Sequence, residues 1–350
     1  MLSKPRSPSA RDPGHPESWQ YNRDMSKLLT WVRGGRGLRG YAAVVLGFMV
    51  LVILWGAVVR ATGSGAGCGN HWPLCNGDFF PHHPRLATVI EFTHRSMSGV
   101  CTTLVAVLIA WTFLARPRGD RARRAVVWSG VLLLTEALLG AVLVKGGYVE
   151  QNASDMRVVV QCVHFTNTML LMAALTLTWW WLGERENTLR TGVTARGIAW
   201  TALAATVLVG ATGSVAALAD TLFPSPSLSA GFAQDFAASA PLLVRMRWLH
   251  PAAAIVGLGC AIWLSLALRS RPARWLLLLI AAQFLLGAAD VLLLAPVWMQ
   301  VLHLLGADLY WIALVAVCAE VFARRSHGFH WPDSVNISIQ SRIVRSSRSG

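Results

Sequence analysis

The chain has 350 residues, 54% of them hydrophobic and only 14% charged, with a mean hydropathy of +0.49. That balance excludes an ordinary soluble domain, and several apolar runs are long enough to cross a bilayer. The net charge of +14 invites a nucleic-acid reading, but the placement of the basic residues argues against a nucleic-acid partner and for membrane lipid as the surroundings.

Residues 1–40 are polar, basic and dotted with Pro and Gly, and no small-residue cleavage site follows an apolar core. They read as a cytoplasmic basic tail without a cleaved signal peptide, ending in a short interfacial helix around Met25 to Val32. Apolar runs then predict spans at 41–59, 86–114, 125–144, 158–182, 197–218, 244–268, 274–294 and 297–322. The expected fold is an all-α polytopic membrane protein with eight transmembrane helices. Of the 31 Lys and Arg residues, 24 fall on one side of this arrangement, in the tails and in loops such as the one holding Arg116, Arg118, Arg121, Arg123 and Arg124. Positive charge favours the cytoplasmic side, so both termini are expected there, in a multi-pass protein of the plasma membrane.

The loops on the opposite side, 60–85, 145–157 and 219–243, carry few basic residues, and ordered loops of such length often cover a site. Internal repetition divides the chain. Ala61-Thr62-Gly63-Ser64 recurs as Ala211-Thr212-Gly213-Ser214, and Leu138-Leu139-Gly140-Ala141 as Leu285-Leu286-Gly287-Ala288. Gln161-x-x-His164 recurs as Gln300-x-x-His303, and His94 has His250 as its counterpart. The expectation is two pseudo-symmetric four-helix bundles, 41–182 and 197–323, joined by a cytoplasmic linker at 183–196 and followed by a cytoplasmic tail at 324–350.

The second span carries the densest chemistry. TVIEFTHRSMSGV, from Thr88 to Val100, places Glu91 and His94 on one helical face, with Arg95 at the flank. Ionisable groups are costly in hydrocarbon and rarely stay there without a partner or a task. His94, His164, His250 and His303 each fall about 9–13 Å below the outer end of an outside-to-inside helix. One such histidine alone reads equally well as a buried hydrogen-bonding residue. Four at one depth, two per half, point to pairs that clamp a haem iron inside a bundle, whereas zinc prefers its ligands in one cluster.

The halves differ three residues before the first histidine of each, where Glu91 stands against Arg247. A carboxylate beside an iron site can move protons or steady a developing cation; its plainer reading is an ion pair with Arg95. Arg247 suits a haem propionate. Chemistry is therefore expected in the first half and a resident cofactor in the second.

The eight spans, EFTHR at 91–95, WPLC with Cys68 and Cys75, QxxH at 161–164 and 300–303, and RxxHP at 247–251 together resemble the haem A synthase family of cytochrome oxidase biogenesis, over residues 40 to 325. The resemblance implies a membrane oxidoreductase that converts the C8 methyl group of haem O, through hydroxylation and loss of water, to the formyl group of haem A. It implies that His94 and His164 hold the substrate haem, that Glu91 assists oxidation, and that His250 and His303 ligate a resident haem b with Arg247 beside it. Haem O, haem O synthase, an electron donor and a second copy of the chain are the partners it leads one to expect. A di-haem b membrane cytochrome that relays electrons from quinol is the alternative, though a pure relay needs neither Glu91 nor a cysteine-bearing lid.

Cys68 and Cys75 fall on the outer side, where disulfides persist, and their spacing allows a small closed loop. A staple over the first site is expected, with a redox role as the competing reading. Glu136 in the third span aligns with Gln283 in the seventh and is expected to be a protonated, hydrogen-bonded core residue rather than a step on a proton path.

Overall fold

The computed structural model describes residues 35–183, 193–268 and 270–323. The expected interfacial helix at Met25 to Val32, most of both tails and most of the linker lie outside the described residues. Among the described residues, eight helices or helix pairs are long and apolar enough to cross a membrane. Spans one to five are α1 (Gly35–Ala61), α2 (Leu86–Ala115), α3 (Arg121–Lys145), α4 (Asp155–Trp181) and α5 (Val193–Leu222). A short helix α6 (Leu228–Phe236) lies in the following loop, and the sixth span is α7 (Leu242–Arg245) plus α8 (Leu249–Leu268). Spans seven and eight are α9 (Arg271–Leu292) and α10 (Val297–Phe322). No strand occurs among the described residues, which show only an isolated bridge between Cys75 and Asp78. The protein is an all-α, multi-pass membrane protein.

Local chemistry sets the helix starts. Asp120 accepts from the Ala122 N–H at 2.8 Å, Ser154 from the Arg157 N–H, and Ser270 from the Ala273 N–H with Pro272 in the first turn. Each satisfies a backbone donor that helix geometry leaves orphaned, and proline there sacrifices nothing. The predicted single helix over 244–268 is interrupted. Pro251 has no N–H to return to the Arg247 carbonyl, and the turn before it tightens instead, with Leu249 N–H donating to Met246 O and His250 N–H to Arg247 O, both at 3.1 Å. The helix α6 was not expected from the sequence; Ser227 caps it.

Packing follows chain order. α1 lies against α2, α2 against α3, α3 against α4, and α4 returns to α1. In the second half α5 lies against α8, α8 against α9, α9 against α10, and α10 returns to α5. Between these sets, α4 meets α5 and α10, and α1 meets α5 and α10. Leu38, Val45, Leu108, Leu171, Leu175, Leu264, Leu276 and Leu314 are among the buried side chains of one continuous apolar cluster. Outward, Val44, Leu51, Leu134, Leu278 and Leu285 are exposed, as suits helices whose solvent is lipid.

Polar bonds cross between the two sets. The indole Nε1 of Trp311 in α10 donates to the Met169 carbonyl of α4 at 2.8 Å. Arg60, at the end of α1, donates to the Ala217 carbonyl at 2.6 Å, to Thr221 Oγ1 at 2.5 Å and to Gln300 Oε1 at 2.7 Å.

Candidate functional site

Glu91 is one turn from His94 on α2 and only 3% exposed. Its Oε1 pairs with the Arg95 guanidinium, at 2.5 Å from Nη2 and 3.1 Å from Nε, and its Oε2 accepts from the Cys68 backbone N–H at 2.7 Å. The ion pair that the sequence left open is therefore present, and it also reaches out of the helix. Arg95 Nη1 donates to the carbonyls of His71 and Leu74 at 2.6 Å each, and Thr88 Oγ1 donates to the Gly67 carbonyl at 2.7 Å.

These bonds fasten the loop between α1 and α2 onto the N-terminal end of α2. Cys68 and Cys75 are joined by a disulfide across a separation of 7 residues and are both buried. At Gly67 the loop passes so close to the backbone of Ala87 and Thr88 that a Cβ would overlap them, so only glycine fits. The disulfide loop is thus a lid whose underside is held by Glu91 and Arg95.

His94 sits against α1, where a Cβ added at Gly56 would lie 3.0 Å from its Cε1. Its Nδ1 is buried without a hydrogen-bond partner. His164 Nδ1 lies 3.2 Å from Glu136 Oε1, within ion-pair reach but off the line of a hydrogen bond. In the second half the rings of His250 and His303 meet edge to face, centroids 6.2 Å apart and planes at 81°. His250 Nδ1 is 3.2 Å from the Val209 carbonyl, a contact that places the proton on Nδ1 and leaves the Nε2 lone pair free. The amide nitrogen of Gln283 lies 3.0 Å from His303 Nδ1 and donates to the His303 carbonyl at 2.9 Å.

Glycines seat these rings as well. A Cβ at Gly213 or Gly287 would lie 3.0 Å from Cε1 of His250 or His303. The seat of His94 is Gly56 and that of His250 is Gly213, so the Ala-Thr-Gly-Ser repeat does not mark structurally equivalent residues. Gly63 stands in the turn after α1 with a positive φ of 66°, two helical turns beyond the true counterpart of Gly213.

These residues fit a bis-imidazole haem. Two metal–nitrogen bonds of about 2 Å and two half-rings of about 1.1 Å span roughly 6 Å, the separation of His250 and His303. The Nδ1 of His94 is left without a partner, and the side-chain-free seats at Gly56, Gly213 and Gly287 leave room for the rings of His94, His250 and His303.

Arg247 was expected beside a propionate. In this structure its guanidinium pairs with Asp235 at 2.7 Å and Asp220 at 3.1 Å, and also meets Ser225 Oγ and the Gly231 carbonyl at 3.3 Å each. It holds the segment between α5 and α8 much as Arg95 holds the loop between α1 and α2. Sequence reasoning missed Arg60, whose signal was an ionisable residue at the end of a span, and it missed the glycine seats. It also missed that Glu136 belongs to the surroundings of His164, although the alignment with Gln283 pointed there.

The match of a family model settles the kinship of this fold. Residues 39–315 match the COX15-CtaA family, described as cytochrome oxidase assembly protein. The chain belongs to the COX15-CtaA family. A relative in Thermus thermophilus, named protoheme IX farnesyltransferase, is 43% identical over 307 residues, 85% of this chain and 50% of that protein. Proteins named heme A synthase from Geobacillus kaustophilus and Bacillus pumilus are 35% and 38% identical over 142 and 143 residues, 41% and 40% of this chain and 42% and 43% of theirs. The chain thus spans about half the length of the curated relatives it matches.

Proposed function

We propose that this chain is a haem A synthase that oxidises the C8 methyl group of haem O to a formyl group. The observation that carries this reading is the close pair of imidazoles, His250 and His303, with centroids 6.2 Å apart in the second half, set against the His94, Glu91 and lid arrangement in the first. Family membership and the relatives named heme A synthase support it. In this reading His250 and His303 hold a resident haem b, which supplies one-electron transfer. His94 and His164 hold haem O. The contacts of α1–α4 among themselves and of α5–α10 among themselves support a division into a substrate bundle and a cofactor bundle. The excess of Lys and Arg on one side of the spans supports the proposal that both termini are cytoplasmic, in the plasma membrane.

Glu91 acts as a fixed negative charge. Both of its oxygens accept from donors it cannot easily leave, Arg95 on one side and the Cys68 N–H on the other. A carboxylate so held steadies positive charge that develops on the substrate methyl carbon, with little reorganisation at the moment of reaction. The Cys68–Cys75 loop positions that carboxylate from above and limits water entry.

The farnesyltransferase name of the Thermus relative bears on partners. This chain aligns with half of that protein, and haem O is a farnesylated haem, so the enzyme that makes haem O is the proposed neighbour and source of substrate. An electron donor and a second copy of the chain are further proposed partners.

The test is to purify the protein from cells that also make haem O, extract its haems and identify them by chromatography and mass. Wild type is expected to carry haem b together with haem O, a hydroxylated haem or haem A. His94→Ala and His164→Ala are expected to lose the farnesylated haems and keep haem b, and His250→Ala and His303→Ala to lose haem b. Haem b alone in both halves of the wild type would replace this reading with the electron relay.

A further inference from the structure

We propose that Glu136 is a positioning residue for His164, holding its imidazole through Nδ1 and making the first-half iron more electron-rich than the second. The inference rests on the reading of His164 as a haem ligand and goes beyond it, to a residue that neither the family motifs nor the lid includes.

Glu136 is pinned. Its Oε2 accepts from Asn167 Nδ2 at 2.6 Å, and its Oε1 accepts from Thr168 Oγ1. Asn167 is itself fixed, donating to the Leu132 carbonyl at 2.9 Å and accepting from Thr135 Oγ1 at 2.8 Å. The carboxylate cannot swing away, and Oε1 stays 3.2 Å from His164 Nδ1. A small rotation of the ring aligns Nδ1–H with that oxygen and leaves the Nε2 lone pair for a metal.

The comparison between halves sharpens the point. Glu136 stands four residues before Gly140, and Gln283 four before Gly287. Gly287 lies under the ring of His303, whereas nothing comes within 4 Å of a Cβ at Gly140. His164 therefore lacks the glycine seat its counterpart has, and the carboxylate takes over its orientation. An imidazole that donates to a carboxylate is a stronger ligand than one that faces an amide, because negative charge is shared toward the metal. The same helical position thus sets two different irons, one backed by Glu136 and one by Gln283.

The test uses the full-length protein carrying His250→Ala and His303→Ala, so that ferric protohaem added as the probe reports the first half alone. Glu136→Gln in this background is expected to raise the midpoint potential of the bound haem, by about 59 mV if the oxidised-to-reduced ratio changes tenfold. It is also expected to weaken haem binding by about tenfold. The reciprocal Gln283→Glu, made in a chain carrying His94→Ala and His164→Ala, is expected to lower the potential of the second-half haem. Should Glu136→Gln fold poorly, this reciprocal variant decides the inference alone. Haem that binds through His164 with a potential unmoved by Glu136→Gln, or a second-half potential unmoved by Gln283→Glu, overturns the inference and leaves the haem reading intact. Absence of any haem sensitive to His164→Ala overturns both.

Discussion

Arg95 is the residue on which the first site's geometry depends most. It neutralises a carboxylate that is 3% exposed and binds two carbonyls of the lid, so one side chain joins helix, acid and loop. Removing one partner of a buried pair strands the other, a loss of about 3–5 kcal/mol. Arg95→Ala is therefore expected to destabilise the protein by about that amount in a chemical-denaturation series in detergent, and to expose the 62–83 loop to limited proteolysis. Glu91→Gln keeps the shape, but its amide has a single acceptor oxygen and can satisfy Arg95 or the Cys68 N–H, not both. It is expected to cost about 1–3 kcal/mol in the same assay while stopping haem A formation, as read by haem extraction. Normal haem A output from Glu91→Gln would remove the electrostatic role. The sequence made Glu91, His94 and Arg95 conspicuous because charge in an apolar run has to be accounted for. It could not reveal that Cys68 supplies the second donor, since a loop backbone N–H has no signature in residue type.

At the scale of helices, the seats beneath the histidines show how neighbouring elements set a ring. Gly56 on α1, Gly213 on α5 and Gly287 on α9 each admit an imidazole that any side chain would displace. Gly213→Ala places a methyl 3.0 Å from His250 Cε1, and about a tenfold loss of haem affinity is expected, with a shifted Soret band. Gly63→Ala meets no neighbour and only strains a positive φ, so about 1 kcal/mol of stability is lost with an unchanged haem spectrum. Equal spectral effects from the two would restore the Ala-Thr-Gly-Ser pairing rejected above. Six spans fell within a few residues of their predicted limits because an apolar run of bilayer length has few alternatives. Two elements escaped. The break before His250 follows from Pro251 acting on the preceding carbonyl, and α6 is amphipathic and too short to stand out in a loop.

For the molecule as a whole, the eight-span architecture was legible because hydrophobic length is a one-dimensional signal. The contacts between α1, α4, α5 and α10 were not, because side chains more than a hundred residues apart leave no periodic trace. Arg60 shows this best, with partners 157, 161 and 240 residues away. Arg60→Ala is expected to cost about 2–4 kcal/mol and to lower the temperature at which the purified protein loses its second-half haem spectrum. An unchanged transition would show that apolar packing and Trp311 suffice at this seam.

That arginine also makes the two halves unlike at the very place where they touch. Counting four residues from the seats at Gly56 and Gly213 leads to Arg60 and Ala217, and Arg60 donates to the carbonyl of Ala217 itself. Two first halves brought together in the same way would set arginine against arginine, and two second halves would leave the acceptors with no donor. A duplicated chain normally risks pairing each copy with its own kind across neighbouring molecules. Here a single cation found in only one copy makes the mixed pairing the one without a penalty, and so lets one polypeptide close on itself in crowded membrane.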